Sequence, residues 1–254
     1  MYLDIKGDLP EGKYHTIIPS IDDDPSVPFI LWTPNGPYIQ CTSNEDIIKI
    51  FALDVASKFP NMNVSGAPVF HQSEQAFCEH MLDILDRNNC KGFIHWIEST
   101  KQVTINRDSI ALVMDGKKRF EDLGENHNFE PWLMKEGKTE CTGWLIVPKD
   151  NPKIHTYNMT LGGLSLVVHK HYDNAQQHAQ VIENTPVINS NESLQPALMR
   201  YPDQYNYMSF LMQILNKRKA HGIWIWNSRG EGFFMPKNKV FSQITNQWLT
   251  ERIS

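Results

Sequence analysis

The chain has 254 residues, 41% hydrophobic and 21% charged, with a formal net charge of -5. That is enough for one large domain or two of ordinary size, each with a real core. The acidic balance argues against a nucleic-acid-coating role, which runs on clustered Lys and Arg. No run of about 18 apolar residues offers a membrane-spanning helix.

In chain order, the opening MYLDIKGDLPEGKYHTIIPS places acidic residues and a Pro ahead of any apolar run, so neither a signal nor a transit peptide is expected. Cys41, Cys78, Cys90 and Cys141 form no CxxC pair and read as reduced thiols of a cytoplasmic protein. A short strand around TIIP leads to a loop with Asp22, Asp23 and Asp24, and WTPNGPYIQC reads as a hairpin. SNEDIIKIFALDVASKF reads as a helix, and PNMNVSGAP as a loop. Phe77, Met81, Ile84 and Leu85 fall at i, i+4, i+7 and i+8, the stripe of a second helix. Gly92 then opens the strand KGFIHWI, followed by a polar turn, the short strand QVTI, and Asp108 as an N-cap type before a strand-like IALVM.

After the charged stretch Asp115 to Pro131 the same order returns. Ala67 set opposite Ala197 brings Ile84-Leu85 onto Ile214-Leu215, Gly92 onto Gly222 and Trp96 onto Trp226 without a gap. Upstream, TIIP sits opposite LIVP and WTPNGPYIQC opposite MTLGGLSLVVH, with small slips in register. NTPVINSNESLQP is the loop corresponding to PNMNVSGAP, and Val240, Ile244 and Trp248 mark a final helix. The fold class expected is α+β: a tandem duplication in which each half has antiparallel hairpins and two to three helices packed on the sheet. The halves run 1-115 and 131-254, with 116-130 as connector.

Candidate chemistry is sparse. HKHYDNAQQH carries His169, His171 and His178, and strand alternation sets His169 and His171 on one face as a two-point metal grip. A helix from Tyr172 would carry His178 roughly 10 Å from His171. This cluster gives the enzymatic alternative, a metal-dependent hydrolase on His169 and His171. TECTGWL around Cys141 resembles the Asp-Cys-Ser-Gly stretch of NlpC/P60 cysteine peptidases, which implies a thiolate at a helix N-terminus and gives a second enzymatic alternative, a cysteine-dependent hydrolase on Cys141; here the strand-like GWLIVP follows instead. The Asp22 to Asp24 triplet reads as a solvated turn, Lys217-Arg218-Lys219 as the basic end of a helix, and His95 as a packing position because its sister is Ile225.

No Gly-rich phosphate loop, GxSxG or HExxH is present, so no cofactor is expected. The leading expectation is a non-enzymatic protein-binding module, most concretely an immunity or inhibitor protein that neutralises a toxin or effector. Trp224, Trp32 and Tyr205 are its candidate anchors, because Trp and Tyr dominate interface energetics. The acidic chain favours a basic protein partner, with a homodimer as an option and neither nucleic acid nor membrane expected.

Overall fold

A computed structural model describes residues 14-21, 27-99, 101-118, 123, 140-185, 193-227, 230, 232-242 and 244. The chain divides into two compact units: Met1–Leu31 with Gly36–His127, and Trp32–Asn35 with Asn128–Ser254. The fold is α+β, with two six-stranded sheets of one design.

The first sheet contains β1 (Tyr14–Ile21), β2 (Ile30–Thr33), β3 (Gly36–Thr42), β4 (Val64–His71), β5 (Gly92–Glu98) and β6 (Lys101–Asn106). Its order is β4-β1-β3-β5-β6, with β2 also paired to β3. Helices α1 (Glu45–Lys58), α2 (Glu74–Arg87) and α3 (Arg107–Met114) connect and cover it. The second sheet contains β7 (Cys141–Pro148), β8 (Tyr157–Thr160), β9 (Gly163–His169), β10 (Leu194–Tyr201), β11 (Gly222–Trp226) and β12 (Gly232–Pro236), in the order β10-β7-β9-β11-β12 with β8 on β9. Its helices are α4 (Tyr172–Glu183) and α5 (Gln204–Arg218), and residues 237-242 are helical.

The duplication extends to register. From Tyr14 to Thr42 the equivalents lie 127 residues on, so the pair Ile17↔Thr42 becomes Trp144↔His169. From Val64 onward they lie 130 on, so Tyr38↔Gly92 becomes Ser165↔Gly222. The three-residue difference falls between α4 and β10. Two corrections to the sequence alignment follow. LIVP stands opposite Ile18 to Ile21, two residues from TIIP, and the ends of the expected loops are already the first residues of strands β4 and β10. Each of these runs antiparallel on the sheet edge, where Pro68 and Pro196 remove a donor that a central strand would need. Each sheet also has one parallel pair, β3 with β5 and β9 with β11.

Alternation along the strands gives each sheet two apolar faces. In the first unit Ile18, Ile39, Cys41 and Phe93 pack under α2 and α3 through Phe77, Met81 and Ile110. On the other face lies α1, where Ile17 and Ile48 close over Gly66. In the second unit Leu145, Leu166, Val168, Ile223 and Ile225 pack under α5 through Tyr207, Leu211 and Leu215. Helix α4 covers part of the opposite face with Ala175, Ala179 and Ile182. A sheet apolar on both faces produces continuous apolar strands, and all five residues of β11 are buried.

Caps start three of the helices. Asn44 Oδ1 accepts from the Asp46 amide at 2.9 Å, Ser73 Oγ from Ala76 at 3.2 Å, and Asp203 Oδ1 from Asn206 at 2.7 Å, each worth about 1 kcal/mol. Contrary to the sequence reading, IALVM is helical, and Asp108 lies in the first turn behind Asn106. The left-handed residues after α2 and α5 are Asn89 (φ 50°) and Lys219 (φ 52°), not the glycines. Gly92 and Gly222 serve close approach: a Cβ there would meet the carbonyl oxygens of Ile105 and Met235 on the neighbouring strand.

Candidate functional site

The second sheet places His169 at the end of β9, between Trp144 on β7 and Trp226 on β11. The chain turns, α4 begins at Tyr172, and His178 comes back over the strand. The rings of His169 and Trp226 stack at 6.3 Å and 17°, and His178 meets Trp226 edge-on at 5.8 Å. His169 Nε2 lies 3.1 Å from His178 Nδ1, and His178 Nε2 lies 3.0 Å from the Trp32 carbonyl oxygen, a residue that groups with the second unit. A carbonyl only accepts, so His178 carries its proton on Nε2 and receives one from His169 Nε2. His169 Nδ1 is then a buried lone pair with no partner among the described residues.

Burial disfavours charge on both rings. It pushes His178 down to about 4 and His169 well below its usual range, the latter helped by His178 itself. Both are 0% exposed and neutral at pH 7. They form a buried hydrogen-bonded pair, so the structure brings His169 together with His178 and not with His171. His171 is exposed at the N-cap of α4 and joins neither. The turn between strand and helix brings together residues nine apart, a geometry that helix rise from His171 alone does not reveal. Among the described residues, no group of three or more His, Cys, Asp or Glu is placed to hold a metal ion.

The other sequence candidates are dispersed. Trp224 is 1% exposed, so it is core and offers no surface anchor. Trp32 and Tyr205 are half-buried. Cys141 opens strand β7 half-buried, not at a helix N-terminus. Burial raises the Cys41 and Cys90 thiols to about 12 and Cys78 to about 11, which makes them poor nucleophiles. His95 Nε2 lies 3.2 Å from Ser43 Oγ, and that hydroxyl also reaches the His15 carbonyl oxygen at 3.3 Å. Asp22 to Asp24 and most of the 116-130 connector lie outside the described residues.

A feature not singled out in the sequence is the outer face of α1. Its inner face buries Ile47, Ile48, Phe51 and Val55. Outside, Ile50 is 60% and Leu53 65% exposed, with Phe59 just past the helix at 46%. The sister helix is a control: Ile50 corresponds to Gln177, Leu53 to Gln180 and Ala56 to Glu183, all exposed. The same scaffold position is therefore satisfied by polar residues in one copy and presents an apolar ridge in the other. Lys49 is taken up by Glu45 at 3.6 Å and Asp46 at 3.5 Å, and Lys58 by Asp54. The ridge is thus bordered by one more acidic than basic side chain. A scan for exposed positions i and i+3 that are apolar in one copy and polar in the other finds it in the sequence.

No family model and no curated protein matches the chain. Among solved structures, Tic22 from Plasmodium falciparum aligns over 93% of this chain and 94% of its own, at 8% identity and a TM-score of 0.24. A likeness at that score carries no argument about fold or role. No helix among the described residues is long and apolar enough to cross a membrane.

Proposed function

We propose that this chain is a non-enzymatic protein-binding module of the cytoplasm, with an immunity or inhibitor role as its most concrete form, and that it docks its partner on the outer face of α1. The observation that carries the reading is the apolar ridge of Ile50 and Leu53 where the sister helix is polar. The partner is a basic protein that presents an apolar groove, since the ridge has an acidic border and the chain a net charge of -5. Burying the exposed parts of these two side chains contributes about 2 to 4 kcal/mol, roughly 30-fold or more in affinity.

The test grafts the sister's residues, Ile50→Gln with Leu53→Gln, and measures affinity by calorimetry for basic proteins encoded beside this chain. Loss of at least about 30-fold in a variant with unchanged circular dichroism is expected. Undiminished affinity in that variant overturns the docking face. A wild-type dimer that the two substitutions convert to monomer assigns the face to a second copy and overturns the heterologous reading.

A further inference from the structure

The first half carries a histidine pair of its own, built like the buried one. His71 ends β4, α2 begins at Glu74, and His80 lies on the second turn of that helix. His71 Nε2 is 2.9 Å from His80 Nδ1, with the rings at 5.2 Å and 83°. The separation of nine residues, the strand-to-helix turn and the two facing nitrogens all repeat those of His169 and His178. The environments are opposite: the buried pair is shut off, whereas His80 is exposed and His71 half-exposed.

Packing does not call for these imidazoles. The second half has Tyr201 and Phe210 at the equivalent places, with ring centroids also 5.2 Å apart. The fold closes this corner with an ordinary aromatic contact, and the first copy holds two ligand-type side chains there instead. We infer that His71 and His80 form a solvent-open clamp for one divalent transition-metal ion, Ni²⁺ or Cu²⁺, with water completing its coordination.

The separation is short enough for two ligands of one ion. Two ring nitrogens 2.9 Å apart, each at a bond length of roughly 2.0 to 2.1 Å, subtend about 90° at the ion. That is the cis angle of tetragonal sites, which nitrogen-liganded Cu²⁺ and Ni²⁺ prefer. The lone pairs now face each other across a shared proton. A turn of the rings about χ2, which their exposure permits, aims both at one point outside. The shared proton moves to an outward ring nitrogen, so binding to the neutral pair releases none. His80 is held below its usual range, first by burial and then by His71, with Asp83 opposing and Arg87 assisting. Asp83 is engaged by Arg87 at 2.7 Å, so water is the natural third ligand. A bound ion would tie the end of edge strand β4 to α2.

This inference is independent of the docking face. Its test is calorimetric titration of the full chain with Ni²⁺ alone at pH 7.5, beside His71→Gln, His80→Gln and, as a control, His171→Gln. Glutamine keeps a polar group at these surface positions, and circular dichroism checks the fold. The expected result is one equivalent bound by wild type, weakened at least tenfold in each pair variant and unchanged in His171→Gln, with a Tm that rises on Ni²⁺ addition only where the pair is intact. Wild-type affinity in either pair variant, or a wild-type isotherm with no saturable equivalent, overturns it.

Discussion

Replacing His169 by Thr and His178 by Phe puts into the second half the residues the first half carries at the same places, Thr42 and Phe51. The consequence to measure is how stability depends on pH. An unfolded histidine titrates near 6.5, whereas folded His178 is pushed down to about 4 and His169 lies well below its ordinary value. Between those limits the unfolded chain binds protons that the folded chain refuses, so stability rises with pH. The stability is therefore full above about 6.5 and is lost as pH falls toward 4. At pH 5 the loss from His178 is about 1.5 units, or about 2 kcal/mol, and His169 adds to it in the same direction. That is a large part of the usual 5 to 15 kcal/mol. His80, His95 and His155 are also depressed, chiefly by burial, so wild type and variant share that part of the slope. Urea unfolding followed by circular dichroism at pH 7.5, 6.0 and 5.0 should show wild type losing at least about 2 kcal/mol more than the variant across the range. Parallel curves would refute the reasoning, because they would mean the folded pair accepts protons as readily as the unfolded chain.

Three further outcomes follow from the packing. Gly222→Ala and Gly92→Ala should each cost about 1 to 3 kcal/mol by urea unfolding, because the new methyl meets a carbonyl of the adjacent strand; Gly66→Ala, which meets only Ile17 and Ile48 side chains, should cost less. Asn44→Ala should cost about 1 kcal/mol through the lost cap on Asp46, whereas His171→Ala, which caps nothing with its side chain, should be near neutral. A thiol reagent on native protein should modify Cys141 first, while Cys41, Cys78 and Cys90 react only on unfolding; fast labelling of any of those three would contradict their burial.

The duplication was legible because its second part runs without a gap from Ala67 to Trp96 against Ala197 to Trp226, carrying a helix period and a strand period together. The slip of TIIP against LIVP has a simple cause: a shift of two residues preserves strand alternation, so apolar pattern alone cannot detect it. IALVM was opaque for a related reason, since a short apolar run fits a strand or a buried helix equally. Strands β4 and β10 were hidden by Pro68 and Pro196, which read as loop signals unless an edge position is foreseen. Trp224 does not serve as a surface anchor because alternation exposes one face only in a one-sided sheet, and both faces of β11 are buried.

The histidines show what two copies add to such a reading. His169 and His178 replace Thr42 and Phe51, while His71 and His80 replace Tyr201 and Phe210. At each site the sister demonstrates that the backbone folds without imidazoles, so fold maintenance alone does not account for them. Their environments then separate the two cases. Within the core, the pair can only pass hydrogen bonds to a backbone carbonyl, and its effect is on stability as protons compete. At the surface, the same atoms are free to turn toward solvent and share an ion. The same comparison singles out Ile50 and Leu53, apolar where Gln177 and Gln180 serve equally well as helix surface. An apolar residue left in water on a position that tolerates glutamine gains nothing from folding, and the docking proposed for α1 would bury it.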